Sequence, residues 1–200
     1  MRSRSFSALA VAACFLAITS ENLKAQTFFN NDPDERFTGG APRGRLFGAF
    51  GAISPIPRTN VSFPGNYAPG TIVINTSERR LYLVVGNGEA IRYGIGVGRL
   101  GFAWAGVTAV SGKREWPDWN PPSQMLRRRP DLPHHMAGGI ENPLGARAMY
   151  LGSSMYRIHG SNEPETIGQA VSSGCFRMTN EDVIDLYPRV HVGAKVIVLR

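Results

Sequence analysis

A mainly β domain with a few short helices is the fold class this sequence predicts, and three observations carry it. Runs of β-branched and aromatic residues recur from about position 67 onward, separated by short Gly- and Asn-containing turns. Helical spacing of apolar residues is confined to brief segments near the C-terminus. The last apolar run, Lys195-Val196-Ile197-Val198-Leu199, reads as a buried strand.

In order, Thr71-Ile72-Val73-Ile74-Asn75 is β-rich, and Thr76-Ser77-Glu78-Arg79 can turn the chain. Arg80-Leu81-Tyr82-Leu83-Val84-Val85 is a second strand, closed by Gly86-Asn87-Gly88. Residues 90–97 form a third, so these runs predict an antiparallel meander. Residues 107–111 and 148–151 are further strands. Residues 164–171 predict a short helix, with Pro164 early, where a missing N–H costs nothing. A second helix follows: Thr179 or Asn180 caps it, Glu181 and Asp182 favour its N-terminal dipole end, and Val183, Leu186, Tyr187 and Val190 share one face. Pro188 limits its end. A Pro- and Trp-rich insertion over 113–136, with Trp116 and Trp119, reads as a lid or cleft wall.

Upstream, the chain divides into two further parts. Arg2 and Arg4 precede an apolar run from Phe6 to Ile18, too short to anchor stably across a bilayer, so residues 1–25 read as a secretory signal. Leu23-Lys24-Ala25 is the expected cleavage site; lipoprotein processing at Cys14 and an uncleaved anchor are the alternatives. Residues 26–66 are rich in Pro and Gly and read as a linker. One domain of about 130 residues, 67–200, remains, enough for its own core. Cleavage lowers the formal charge from +7 to +5, as three cations leave with one anion. That basicity suits an anionic polymer or envelope surface. No nucleic-acid recognition motif accompanies it. Arg127-Arg128-Arg129 reads as solvated loop.

Once the signal is removed, Cys175 is the only cysteine. A lone thiol in an oxidising compartment invites oxidation, so its presence 16 residues after His159 points to sulfur chemistry. A cysteine nucleophile needs a base to hold it as thiolate, and imidazole is the usual one. Gly160 allows close backbone approach, and Gly174 lets the chain turn and aim N–H groups at an oxyanion. A buried structural cysteine with a hydrogen-bonded histidine is the competing reading. His134-His135 makes no convincing metal site, and His191 reads as surface or structural. Gly94, Gly96 and Gly98 alternate in a strand-like segment, unlike a phosphate-binding loop.

Taken together, His159-Gly160-Ser161-Asn162-Glu163-Pro164, Ile167-Gly168 and Ser172-Ser173-Gly174-Cys175-Phe176-Arg177-Met178 resemble the L,D-transpeptidase catalytic domain, the YkuD or ErfK/YbiS/YcfS/YnhG family. The likeness runs over about residues 67–200 and takes in Gly94-Ile95-Gly96-Val97-Gly98 and Asn142-Pro143-Leu144-Gly145-Ala146-Arg147-Ala148. It implies a β-sandwich-like fold and no metal or cofactor. Cys175 would be the nucleophile, His159 the base and later the acid, and the Gly160 carbonyl would orient the imidazole. Main-chain N–H groups around Gly174 and Cys175 would hold the oxyanion. The implied substrate is a peptidoglycan tetrapeptide stem: a thioester forms, D-alanine leaves, and a second stem's amine completes a 3→3 cross-link in the periplasm or cell envelope. Water as acceptor would make the enzyme a carboxypeptidase or endopeptidase, and an envelope lipoprotein amine would make it an anchoring transferase. A non-catalytic cell-wall binding module is the reading from another class. Many members carry histidine where Ser173 stands, so Ser173 is expected to shape the turn or donate to the oxyanion. Arg177 would steady the thiolate or a stem carboxylate, or form a structural ion pair. Arg147 and Tyr150 would line the substrate cleft, or simply pack.

Overall fold

A computed structural model describes residues 54–200; the expected signal at 1–25 and positions 26–53 of the expected linker lie outside the described residues. The strands are β1 (Thr59–Ser62), β2 (Ile72–Asn75), β3 (Arg80–Gly86), β4 (Glu89–Gly94), β5 (Val97–Gly98), β6 (Gly106–Glu115), β7 (Arg147–Leu151), β8 (Arg157–His159), β9 (Ala170–Ser172), β10 (Phe176–Arg177) and β11 (Lys195–Leu199). Two short helices, α1 (Ser123–Arg128) and α2 (Asn180–Leu186), accompany them. Nine strands are ordered β1-β4-β3-β2-β11-β6-β7-β8-β10, and β5 pairs with β9 apart from them.

The expected meander forms: β2, β3 and β4 pair antiparallel in succession. β11 then inserts parallel to β2 and antiparallel to β6. β6 is the hinge of the sheet. Its first half pairs with β11, its second half with β7, and its register shifts between Val110 and Gly112. Ile72, Ile74, Leu81, Leu83 and Tyr93 from one half bury in the same cluster as Met149, Leu151, Ile158 and Phe176 from the other. This mutual burial is the principal stabilising term of the fold.

The expected third strand is interrupted. β4 ends at Gly94, and the chain leaves the sheet: Gly96 bridges Arg177, and β5 pairs parallel with β9, the strand that leads into the cysteine turn. Glycine makes the crossing possible. A Cβ on Gly96 would sit 3.0 Å from the Thr166 carbonyl, and one on Gly98 would sit 3.1 Å from the Gly174 Cα. The Gly94-x-Gly96-x-Gly98 pattern therefore encodes close backbone packing.

The helix expected over 164–171 is a single 3-10 turn, Pro164–Thr166, followed by β9. Gly168, at φ +87°, turns the chain out of helical geometry, and the Gln169 carbonyl accepts from Val97 N at 2.9 Å. The second helix forms as α2. Thr179 is its cap, its Oγ1 accepting from Asp182 N at 3.2 Å, and a 3-10 turn containing Pro188 ends it. Val183, Leu186 and Val190 are buried.

Residues 54–66, expected to end the linker, are built into the fold. β1 extends the sheet beyond β4, and Arg58 bonds Asp182 at 3.1 Å and Glu181 at 3.3 Å in the first turn of α2. In the 113–136 segment, residues 113–115 are the end of β6. The remainder folds around Trp119, Leu132 and Leu144, with Met125, Leu126 and Met136 against them. Asn142 ties this cluster down, its Nδ2 facing the carbonyls of Pro117, Met136 and Ala137 at 3.0–3.2 Å.

Candidate active site

β8 and β10 run parallel, with Ile158 opposite Phe176 and His159 opposite Arg177. Ile158 and Phe176 point into the core. Side chains alternate along a strand, so residues 157 and 159 of β8 share the opposite face with 175 and 177 around β10. One step back along both strands brings Cys175 level with Arg157. This short parallel pair unites the expected nucleophile and base on one face.

His159 is buried, 5% exposed. Its Nδ1 lies 2.6 Å from the Gly160 carbonyl, an acceptor only, so Nδ1 carries the proton and Nε2 keeps a lone pair. Burial, reinforced by the positive charges of Arg177 and Arg157, pushes the imidazole down to about 3, although the Gly160 carbonyl favours the charged form. The imidazole is therefore neutral near pH 7. Main-chain bonds fix its position: Gly160 N donates to Arg147 O at 3.0 Å and Met178 N to His159 O at 2.8 Å. Asn180, buried at the start of α2, accepts from Ala146 N at 2.8 Å and lies so close to Gly160 and Gly145 that a methyl group on either would collide with it.

Cys175 is half-buried and free of any disulfide. Its thiol donates to the Met155 carbonyl at 3.8 Å. Burial pushes the thiol up, against the opposing influence of Arg157 and Arg177. Burial thus disfavours the thiolate at this position, and the two arginines favour it.

The turn before Cys175 is set by Ser172 and Gly174. Ser172 Oγ donates to the Cys175 carbonyl at 2.6 Å and accepts from Gly174 N at 3.2 Å. Gly174 adopts φ +106°, where a Cβ would strike the Tyr156 ring. Its carbonyl accepts from Trp104 Nε1 at 3.1 Å, and Trp104 stacks on Tyr156 with ring centroids 5.0 Å apart. Ser173 is half-buried on the same turn. The Gly174 N–H expected at the oxyanion is thus engaged within the turn.

The remaining expected residues separate. Arg177 pairs with Glu163 at 3.0 Å, both mostly buried, so its charge is met inside the protein. Tyr150 stands opposite Arg157 on β7, with the guanidinium 5.2 Å from its ring centre. Arg147 is not brought to the site. It pairs with Glu115 at 3.2 Å and lies 5.5 Å from the Tyr187 ring centre. Its side chain leaves β7 on the face opposite Tyr150. Sequence reasoning missed Asn180, read only as a cap, as well as Trp104, Ser172 and Arg157. The Arg157-x-His159 spacing was the one signal available for Arg157, since it puts both side chains on one strand face.

The L,D-transpeptidase catalytic domain model of the YkuD family matches residues 69–198. The probable L,D-transpeptidase ErfK/SrfK of Escherichia coli K12 is 36% identical over 137 residues, 64% of this chain and 43% of that protein. The probable L,D-transpeptidase YbiS of the same organism is 39% identical over 134 residues, 62% of this chain and 43% of that protein. The chain thus matches less than half the length of these curated relatives. An L,D-transpeptidase structure from Mycobacterium smegmatis aligns with a TM-score of 0.53 and 18% identity over 66% of this chain and 59% of that one, a likeness of fold. A Brucella melitensis structure described as a probable carnitine operon oxidoreductase is 45% identical over 80% of this chain and 96% of that one, with a TM-score of 0.48; that activity is stated of that protein alone. With its family match spanning well over half the chain, this protein belongs to the L,D-transpeptidase catalytic domain family.

Proposed function

We propose that this chain is an exported L,D-transpeptidase of the periplasm or cell envelope that acts on peptidoglycan tetrapeptide stems, with Cys175 as nucleophile and His159 as base. One observation carries the reading: β8 ends on His159 and the parallel β10 starts directly after Cys175, with strand alternation setting both on one face and His159 Nδ1 fixed on the Gly160 carbonyl. The free Nε2 takes the thiol proton as Sγ attacks the carbonyl of the third stem residue. The Cys175 N–H is the main-chain donor assigned to the oxyanion. Collapse breaks the bond to the terminal D-alanine, whose amine takes the proton back from the imidazolium, leaving a thioester on Sγ. An amine of a second stem attacks the thioester, passes its proton to His159 and forms a 3→3 cross-link while Sγ regains its hydrogen. Water or a lipoprotein amine at that step gives hydrolysis or protein anchoring.

The test is incubation with a disaccharide-tetrapeptide, read by mass. The expected result is release of D-alanine, an acyl adduct on Cys175 and a cross-linked dimer. Cys175→Ser lowers turnover by at least about 10³-fold. An undiminished adduct in that variant, or sacculus binding without D-alanine release by the unaltered chain, overturns the reading. Tripeptide in place of dimer identifies water as the acceptor.

A further inference from the structure

Two arginines share the strand face that carries Cys175 and His159, and their surroundings differ. Arg177 has its carboxylate in Glu163, at 3.0 Å. Arg157 makes no ion pair among the described residues. Its Nη1 donates to the Met155 carbonyl at 3.0 Å, its guanidinium rests against the Tyr150 ring, and its Nε is buried without an acceptor. A buried guanidinium N–H with no partner is costly and calls for a physical reason.

The Met155 carbonyl supplies that reason. It accepts from both Arg157 Nη1 and the Cys175 thiol, so the cation and the sulfur meet at one oxygen. While the thiol keeps its hydrogen, this oxygen is a suitable partner. Once the proton moves from Sγ to His159 Nε2, an anionic sulfur faces carbonyl lone pairs and requires a donor. The neighbouring groups are few. Tyr156 precedes β8, and its hydroxyl is raised by burial and then by repulsion from the cysteine charge, so it is no partner for an anion. His159 is the proton's destination. Arg177 contributes charge at a distance, but its guanidinium is already bonded to Glu163. The Arg157 main chain also favours the anion, and among charged donors the Arg157 guanidinium, whose Nε lacks an acceptor, remains.

We infer that Arg157 is the cation that receives the negative charge of Cys175 Sγ as His159 removes its proton. The assignment rests on Cys175 being the nucleophile of the proposed reaction. Tyr150 acts through Arg157: the ring expected to line the substrate cleft supports the guanidinium, 5.2 Å from its centre. The same positive charge also disfavours a protonated His159, keeping the base ready.

The experiment measures alkylation of Cys175 by iodoacetamide against pH in the full chain, quantified by the mass of the peptide that contains Cys175. Iodoacetamide is neutral and small, so the profile reports the thiol without any peptidoglycan. Arg157→Gln should move the alkylation midpoint up by about 1 pH unit or more, slowing the reaction near neutrality about tenfold. Arg157→Lys should recover most of that shift. If the Gln variant does not fold, Arg157→Met, which keeps the apolar stem on Tyr150 without the charge, gives the same readout. An unchanged midpoint in a folded, uncharged variant overturns the inference; a raised KM for tetrapeptide in that variant would give Arg157 to a stem carboxylate instead. Failure of the proposed reaction looks different: Cys175 alkylates with the Arg157-dependent profile, but no D-alanine is released.

Discussion

The histidine and cysteine sides of this site stand on adjacent strands, yet they are built in opposite ways. On the histidine side His159 is buried, its Nδ1 is bonded, and Asn180 locks the neighbouring loop at Ala146. On the cysteine side Cys175 is half-buried, Gly174 bends the chain through a left-handed turn, and Met155 in front is 52% exposed. The proposed base is held in one place, while the proposed nucleophile stays open to solvent. Under the proposed reaction a buried histidine serves a peptide substrate, because only the sulfur must meet the carbonyl.

The largest effect that would sharpen this contrast comes from His159→Gln. Turnover of tetrapeptide should fall by about 10²–10⁴-fold, the usual worth of a general base, while Cys175 still alkylates at alkaline pH. The same variant tests the frozen protonation state through stability. The folded state holds the imidazole at about 3, below its ordinary 6.5 in the unfolded chain. As pH falls between those values, the unfolded state binds a proton that the folded state refuses. This contribution is therefore complete above about 6.5 and is lost on acidification toward 3, with a slope of at most about 1.4 kcal/mol per pH unit. Urea unfolding at pH 7 and pH 4 should show the loss in the unaltered chain and a smaller one in His159→Gln. Equal losses would mean that the ring takes up protons in the fold.

Arg177→Gln comes next and separates the two arginines. It removes a mostly buried ion pair and should lower unfolding free energy by about 2–3 kcal/mol, somewhat below the range for fully buried pairs. Adding Glu163→Gln should restore part of that loss. The Arg157 variants, which break no ion pair, should unfold close to the unaltered chain. If Arg177→Gln leaves stability untouched but moves the Cys175 alkylation midpoint, the roles given to the two arginines are reversed.

How far the sequence could reach depended on whether a feature was local. The meander was legible because alternation and turn residues are local, and Lys195–Leu199 stood out as one apolar run. His159, Cys175 and the Gly160 carbonyl were singled out through their motif, and the carbonyl lies 2.6 Å from His159 Nδ1. The parallel register of β8 and β10 was not legible, because two- and three-residue strands carry no periodicity, and Arg157 becomes conspicuous only through that register. β1 was hidden for a related reason: Thr59–Ser62 is polar, exposed and flanked by prolines, so it reads as linker until β4 pairs with it. Asn180 was misread because its position beside a helix start suggested capping, whereas Thr179 supplies the cap and frees the amide for Ala146.

The smallest expected effect tests the residue that the motif pointed to and the fold moved elsewhere. Arg147 begins β7, and its main-chain carbonyl helps to fix Gly160, but its side chain turns to Glu115 and Tyr187 on the face away from Tyr150. Glu115 is 62% exposed, so solvent screens the pair and its worth is at most about 1 kcal/mol. Arg147→Ala should therefore cost about 1 kcal/mol or less in unfolding, even with the loss of the Tyr187 contact, while kcat and KM for tetrapeptide stay as they were. Steady-state kinetics decide the point. A clear rise in KM at unchanged stability would mean that the side chain swings to the substrate face on binding, and the division between a locked histidine side and an open cysteine side would then have to admit a third, mobile wall.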